Sequence, residues 1–258
     1  MKKIIKTAGP NGLTRFYHHN PLGSWSDFFY HNTSIPYKRL KADIFADQGG
    51  LCAYCEAQVS KRSVHEQRVE HFHDKSDNSN IGAHNWGLDW NNVIGMCVGG
   101  TDHENKTSYQ LPANLSCDSH KERVLTTSPE GVVLNPLLIF ASPCLFDLDK
   151  RTGELKPHAL NCANLCIVGN TFTTVDELVE NTIRIFNLNC DRLNQQRQAI
   201  LFDYNRRIKI ARENGDGQIF AKLTQQWFTQ KWLPFFTTRR ILLSNHAETY
   251  LSEINFNG

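Results

Sequence analysis

Leu51-Cys52-Ala53-Tyr54-Cys55-Glu56 places two thiols three residues apart, directly behind Gly49-Gly50. Two cysteines at that spacing can both reach one tetrahedral ion from a tight knuckle, although a redox pair shares the spacing. A redox pair belongs at a helix N-terminus within a βαβ pattern, and the surrounding sequence lacks that pattern. A closed zinc site needs two more ligands. Cys97 and Cys117 are the candidates, with residues 98–116 looping out between them as an insertion. His120 is an alternative to Cys97, because Cys117-x-x-His120 also has ligand spacing. The competing reading is a set of scattered, buried thiols.

Between the two halves lies Arg68-Val69-Glu70-His71-Phe72-His73, followed by Trp90-Asn91-Asn92-Val93. Val69 and Phe72 are suited to anchor a strand. Alternation then sends Glu70 and His71 to opposite faces and puts His71 and His73 on the same one. An isolated histidine is more often structural than catalytic; here the flanking cysteines and the downstream Asn and Asp favour chemistry. His65, His73, His84, His103 and His120 are surplus and expected on surfaces or loops, with His73 the substitute base. Asn91 and Asn92 can alternatively be turn formers. Cys162-x3-Cys166 has no partner pair and reads as two buried thiols.

Taken in order, Cys-x-x-Cys, Glu-His, Trp-x-Asn-Val, Cys, and Cys-Asp-x-x-Lys resemble the HNH endonucleases with their ββα-metal fold. More narrowly, residues 50–56 with Val69-Glu70-His71-Phe72 resemble the PtuB group, HNH partners of PtuA ATPases in Septu-type and retron-linked antiphage systems. The resemblance covers about residues 36–125. It implies a metal-dependent endonuclease in which His71 is the general base, a role that suits a group titrating near neutrality. Glu70 stands where the family usually has Asp, as a ligand of a catalytic Mg²⁺ or Mn²⁺. Asp118 is the second ligand, with His120 as runner-up. Asn92 holds the loop and orients the histidine, and Lys121 contacts a phosphate. The implied partners are a PtuA-like ATPase, a DNA or RNA substrate (tRNA included), and a retron reverse transcriptase with its msDNA. The rival reading is a non-catalytic zinc-binding interaction module.

The positioning elements follow from the pattern. The chain has 258 residues, 40% hydrophobic and 21% charged, which suffices for a folded core. A net charge of +2 does not by itself point to nucleic acid. The basic start has no apolar run behind it, so no signal peptide or membrane span is expected, and the reading is cytoplasmic with free thiols. A helix is predicted from Pro36 to about Asp47, with Gly49-Gly50 stopping it. Residues 51–125 are Cys-, His- and Asn-rich and suited to a metal-stapled unit. Further on, 132–136 and 145–148 read as strands and 150–154 as a hairpin turn. The stretches 176–188, 192–214 and 219–251 read as helices, the last interrupted near Pro234. The expected class is α+β, a zinc-stapled ββα-metal unit with a mainly helical C-terminal region, divided as 1–35, 36–125 and 126–258. Arg192, Arg197, Arg206, Arg207, Lys209 and Arg212, with Trp227, Lys231, Trp232, Arg239 and Arg240, read as a solvated helix face over core aromatics. A docking or nucleic-acid surface is the competing reading.

Overall fold

The computed structural model describes residues 1–229 and 232–258. Three helices open the chain: α1 (Gly12–His19), α2 (Trp25–Tyr30) and α3 (Ile35–Asp47). Asn11 caps α1 by accepting from the Leu13 and Thr14 amides, and Ser24 with Asp27 forms a capping box on α2. Pro36 sits in the first turn of α3, where a missing amide hydrogen costs nothing. Between α2 and α3 the chain turns through Asn32, Thr33 and Ser34, all with positive φ. The apolar faces of the three helices meet Leu88, Trp90 and Val93 in one buried cluster.

Strand β1 (Gln67–His71) pairs antiparallel with β2 (Val93–Cys97), placing Glu70 opposite Ile94 and His71 opposite Val93. β2 is buried along its whole length. Helix α3 lies so close to it that a Cβ on Gly95 would fall 2.7 Å from the Phe45 ring. The buried Gln48 side chain donates to the Leu51 and Gly95 carbonyls and accepts from the Gly95 amide. The Ala53 amide also donates to the Gly95 carbonyl, so the Cys52–Cys55 turn is tied to the middle of β2. Beyond β2 come α4 (His103–Ser108) and α5 (Cys117–Val124). Residues 98–116 leave and return at one point. The Ser116 amide donates to the Gly99 carbonyl, and a Cβ on Gly99, at φ +62°, would meet the Ser116 oxygen at 1.9 Å. His73 lies beyond the end of β1, so strand alternation does not place it beside His71.

The C-terminal part holds the hairpin β3 (Phe146–Leu148) and β4 (Leu155–Pro157), the short α6 (Ala159–Ala163), α7 (Val175–Ile185) and α8 (Asp191–Glu213). It ends with α9 (Ile219–Phe228), α10 (Phe236–Leu243) and α11 (Asn245–Glu253). Residues 132–136 are not a strand. Thr182 and Asn181 of α7 bond the Leu134 amide and the Val132 carbonyl, which satisfies the backbone without a neighbouring strand. The expected last helix is three helices, broken at Phe235 and again at Ser244, both with positive φ. At the first break Glu56 pulls the backbone in: its carbonyl accepts from the Phe235 amide and its carboxylate from the Thr237 amide and hydroxyl. Cys162 is buried, but Cys166 is exposed, against expectation. The solvated-face reading also fails in part. Arg192, Arg197 and Arg240 are buried and bonded to Ser116, to the Gly153 and Leu188 carbonyls, and to Glu248 with the Ala141 carbonyl, whereas Arg206, Lys209 and Arg212 are exposed. Lys231 lies outside the described residues. Among the described residues no helix is long and apolar enough to cross a membrane.

Candidate functional site

Cys52, Cys55, Cys97 and Cys117 are all buried, and their four sulfurs lie within 4.8 Å of one another. The Cys52–Cys117 and Cys55–Cys97 sulfur pairs are each 3.7 Å apart. A tetrahedron with metal–sulfur bonds of about 2.3 Å has edges of about 3.8 Å, so the spacing fits a zinc ion at its centre. The elements bring these residues together from a turn (Cys52, Cys55), the end of β2 (Cys97) and the start of α5 (Cys117). His120 is turned elsewhere, with Nδ1 2.9 Å from the Ile185 carbonyl. Among the described residues this is the only group of three or more His, Cys, Asp or Glu close enough to share an ion. Glu70, Asp118 and His120 do not form such a group.

A small crevice of about 10 Å³ lies beside the cysteine cluster, lined by Glu70, His71 and Lys121 over Tyr54 and Phe186. That is room for about one water-sized occupant. Lys121 Nζ reaches Glu70 Oε2 at 3.1 Å. Asp118, at the start of α5, is buried, and its Oδ1 has no hydrogen-bond partner. Burial first, then the nearby charges of Glu70 and Glu122, push its carboxyl up to about 7. Two adjacent carboxylates, one with an unmatched buried oxygen, form a donor set of the kind a hard divalent cation satisfies.

The His71 ring is wedged. Its Nε2 lies 3.1 Å from the Gly87 carbonyl, which can only accept, so Nε2 carries the hydrogen and Nδ1 is the ring's acceptor. Burial pushes the imidazole down to about 4 against the opposing pull of that carbonyl, leaving it neutral near pH 7. The edge of Trp25 meets the ring at 4.5 Å between centroids and 90°.

Asn92 is buried and makes three bonds that shape the loop carrying Gly87. Its Oδ1 accepts from the His73 amide at 2.7 Å, and its Nδ2 donates to the His73 and Trp86 carbonyls at 3.0 and 2.9 Å. His73 stacks on Trp86 and is held by Asp77, at 2.8 Å, and by Glu130. Both of its ring nitrogens are thus engaged, which argues against its use as a substitute base. His65 and His103 are exposed, and His84 pairs with Asp89 at 3.2 Å. Trp25 and Gly87 escaped the sequence reading. No motif spacing marks Trp25, and a backbone carbonyl leaves no signal in residue type.

No protein-family model matches the chain. A curated protein of Escherichia coli, "Retron Ec83 putative HNH endonuclease", is 39% identical over 249 residues, covering 94% of this chain and 94% of that protein. With that identity over nearly the full length of both, and with the four-cysteine cluster in place, the chain belongs to the HNH endonuclease family of this retron relative.

Proposed function

We propose that the protein is a metal-dependent endonuclease that hydrolyses phosphodiester bonds in nucleic acid. The observation that carries the reading is the His71–Gly87 contact, because it leaves a neutral imidazole with Nδ1 as its acceptor in a crevice shared with Glu70 and Lys121. In this reading Nδ1 takes the proton from the attacking water, and the Nε2 hydrogen bond holds the ring in place as it becomes imidazolium. Asn92 acts through the loop, fixing the Trp86–Gly87 backbone against which the imidazole is set. Glu70 and Asp118 are the residues that would hold Mg²⁺ or Mn²⁺, with His120 as the reserve ligand. Such an ion, when bound, supplies Lewis-acid stabilisation of charge on the phosphate and leaving oxygen. Lys121, paired with Glu70, is placed to contact a phosphate oxygen as well. Zinc on the four cysteines is structural and holds β2, α5 and the Cys52–Cys55 turn as one strand–strand–helix unit of the ββα-metal kind.

The unit is assigned to residues 36–125, preceded by an N-terminal segment (1–35) and followed by a helical region (126–258) suited to docking a partner. The retron relative supports a place among retron components, with a reverse transcriptase and its msDNA as partners. The resemblance to PtuB supports a PtuA-like ATPase as the restraint on a cytoplasmic nuclease used in antiphage defence. Incubation with plasmid DNA and with total tRNA, in Mg²⁺ or Mn²⁺ and with or without the ATPase, tests substrate, metal and partner together. Cleavage that needs the divalent ion is expected. A protein that keeps its zinc and cuts neither substrate under any combination is an interaction module instead.

A further inference from the structure

A second cleft, of about 720 Å³, opens between β1, the face of α3 and the turn before it. Phe29, Tyr37, Lys38, Lys41, Arg68 and Glu70 give it its character, and Glu70 is its one carboxylate. Lys41 is buried and spends its ammonium on the Val64 carbonyl at 2.7 Å. Lys38 and Arg68 are exposed and make no ion pair among the described residues. In a chain whose net charge is only +2, two free cations beside one acid form a local site for anions.

The aromatic groups run from this cleft to the candidate base. Phe29 and Tyr37 lie 4.5 Å apart, Tyr37 meets Trp25 edge-on at 5.9 Å, and Trp25 meets His71 at 4.5 Å. Tyr30, 74% exposed, stands against Phe29 at the outer rim. Glu70 lines both this cleft and the small crevice of His71 and Lys121, so the two lie on either side of one carboxylate.

We propose that this cleft binds an unpaired nucleic-acid strand, with a base stacked on Phe29 and Tyr37 and the flanking phosphates on Lys38 and Arg68. The proposal deepens the nuclease reading and rests on it for what happens at His71. Aromatic rings with cations along a groove suit a single strand, whose bases offer free π-faces, and a duplex keeps those faces stacked inside. The site would therefore deliver unpaired segments to the crevice and discriminate against uninterrupted helix.

The test measures binding in the full chain carrying Asp118→Asn, in which cleavage is expected to be blocked. Fluorescein-labelled DNA and RNA strands are compared with a blunt duplex of the same sequence by anisotropy across a salt series. Either unpaired strand is expected to bind at least about tenfold more tightly than the duplex, and the two arms identify the preferred sugar. Lys38→Ala with Arg68→Ala should flatten the salt slope by about 1.4, because each phosphate neutralised on a single strand adds about 0.7 to it. Tyr37→Leu should weaken binding about tenfold through reduced stacking, with zinc content and melting checked against the parent. Equal affinity for duplex and strand overturns the proposal, as does an unchanged salt slope in the Lys38/Arg68 variant, whose exposed positions leave folding intact. If the strand binds as expected but the parent protein cuts nothing, the binding site stands and the nuclease reading alone falls.

Discussion

The indole of Trp25 stands perpendicular to the imidazole of His71, their centroids 4.5 Å apart. A residue of the N-terminal helices thus forms one wall around a side chain on β1, and the Gly87 carbonyl fixes the ring from another side. Trp25→Leu removes the wall and leaves the cysteine cluster untouched. Cleavage should fall on the order of 100-fold, the scale of an angstrom-size misplacement, with zinc content unchanged. Metal analysis and initial rates on the same preparation check it.

Removing one zinc ligand should act on folding before it acts on chemistry. Structural zinc in small units contributes roughly 10 kcal/mol or more of apparent binding energy that is also folding energy. Cys52→Ser, or prolonged chelation of the parent, is expected to abolish stoichiometric zinc and to unfold the β2–α5 region. Hydrogen exchange over residues 51–125 reports this directly. A variant that keeps native protection without zinc contradicts the role given to the cluster.

Asn92 offers a sharper contrast between shape and polarity. Asn92→Ala leaves the His73 amide and two carbonyls without partners, a loss of about 1–3 kcal/mol for each group that stays buried and unmatched. Asn92→Asp keeps the size but turns a carboxylate toward two carbonyl oxygens. It should be at least as destabilising as the alanine variant in urea unfolding. If the aspartate variant proves neutral, the Nδ2 bonds are not what holds the loop.

The loop between the strands should also respond to pH through His73. Burial lowers this imidazole's proton affinity, but the carboxylates of Asp77 and Glu130 outweigh it and raise the pKa above the usual value. A raised pKa makes the pairing stabilising at pH values below the free histidine's, and that stability is lost as pH rises through the raised value. Asp77 is held down, to about 2, by Ser79 and then by His73, so its share is present above the ordinary carboxylate range and fades as pH falls toward 2. Amide exchange in residues 74–86, corrected for intrinsic rates, should therefore be slower at pH 5.5 than at pH 8.5 (about three units higher). His73→Gln should erase the difference.

What could be read from residue types was the chemistry that demands particular types. Four thiols, a Glu-His pair and a downstream Asn and Asp are conspicuous because few other side chains serve a metal or a proton transfer. Helix α3 was legible from Pro36 at its start and the glycines after it. The remainder depended on long-range packing. Charge suggested exposure for Arg192 and Arg197, yet both are buried against backbone carbonyls and Ser116. The break at Ser244 has no proline or glycine to announce it. The short run at 132–136 opens on the β-branched pair Val132-Val133 like a strand but is bonded by side chains of α7.

The direct trial of the central claim is a paired measurement on His71→Ala: zinc per chain, and divalent-ion-dependent cleavage of nucleic acid. The side chain touches no cysteine, so zinc should remain stoichiometric and the fold cooperative, while cleavage should drop by at least about 100-fold, the lower range for loss of a general base. Cleavage at the parent rate with zinc intact would contradict the assignment of His71 as the base.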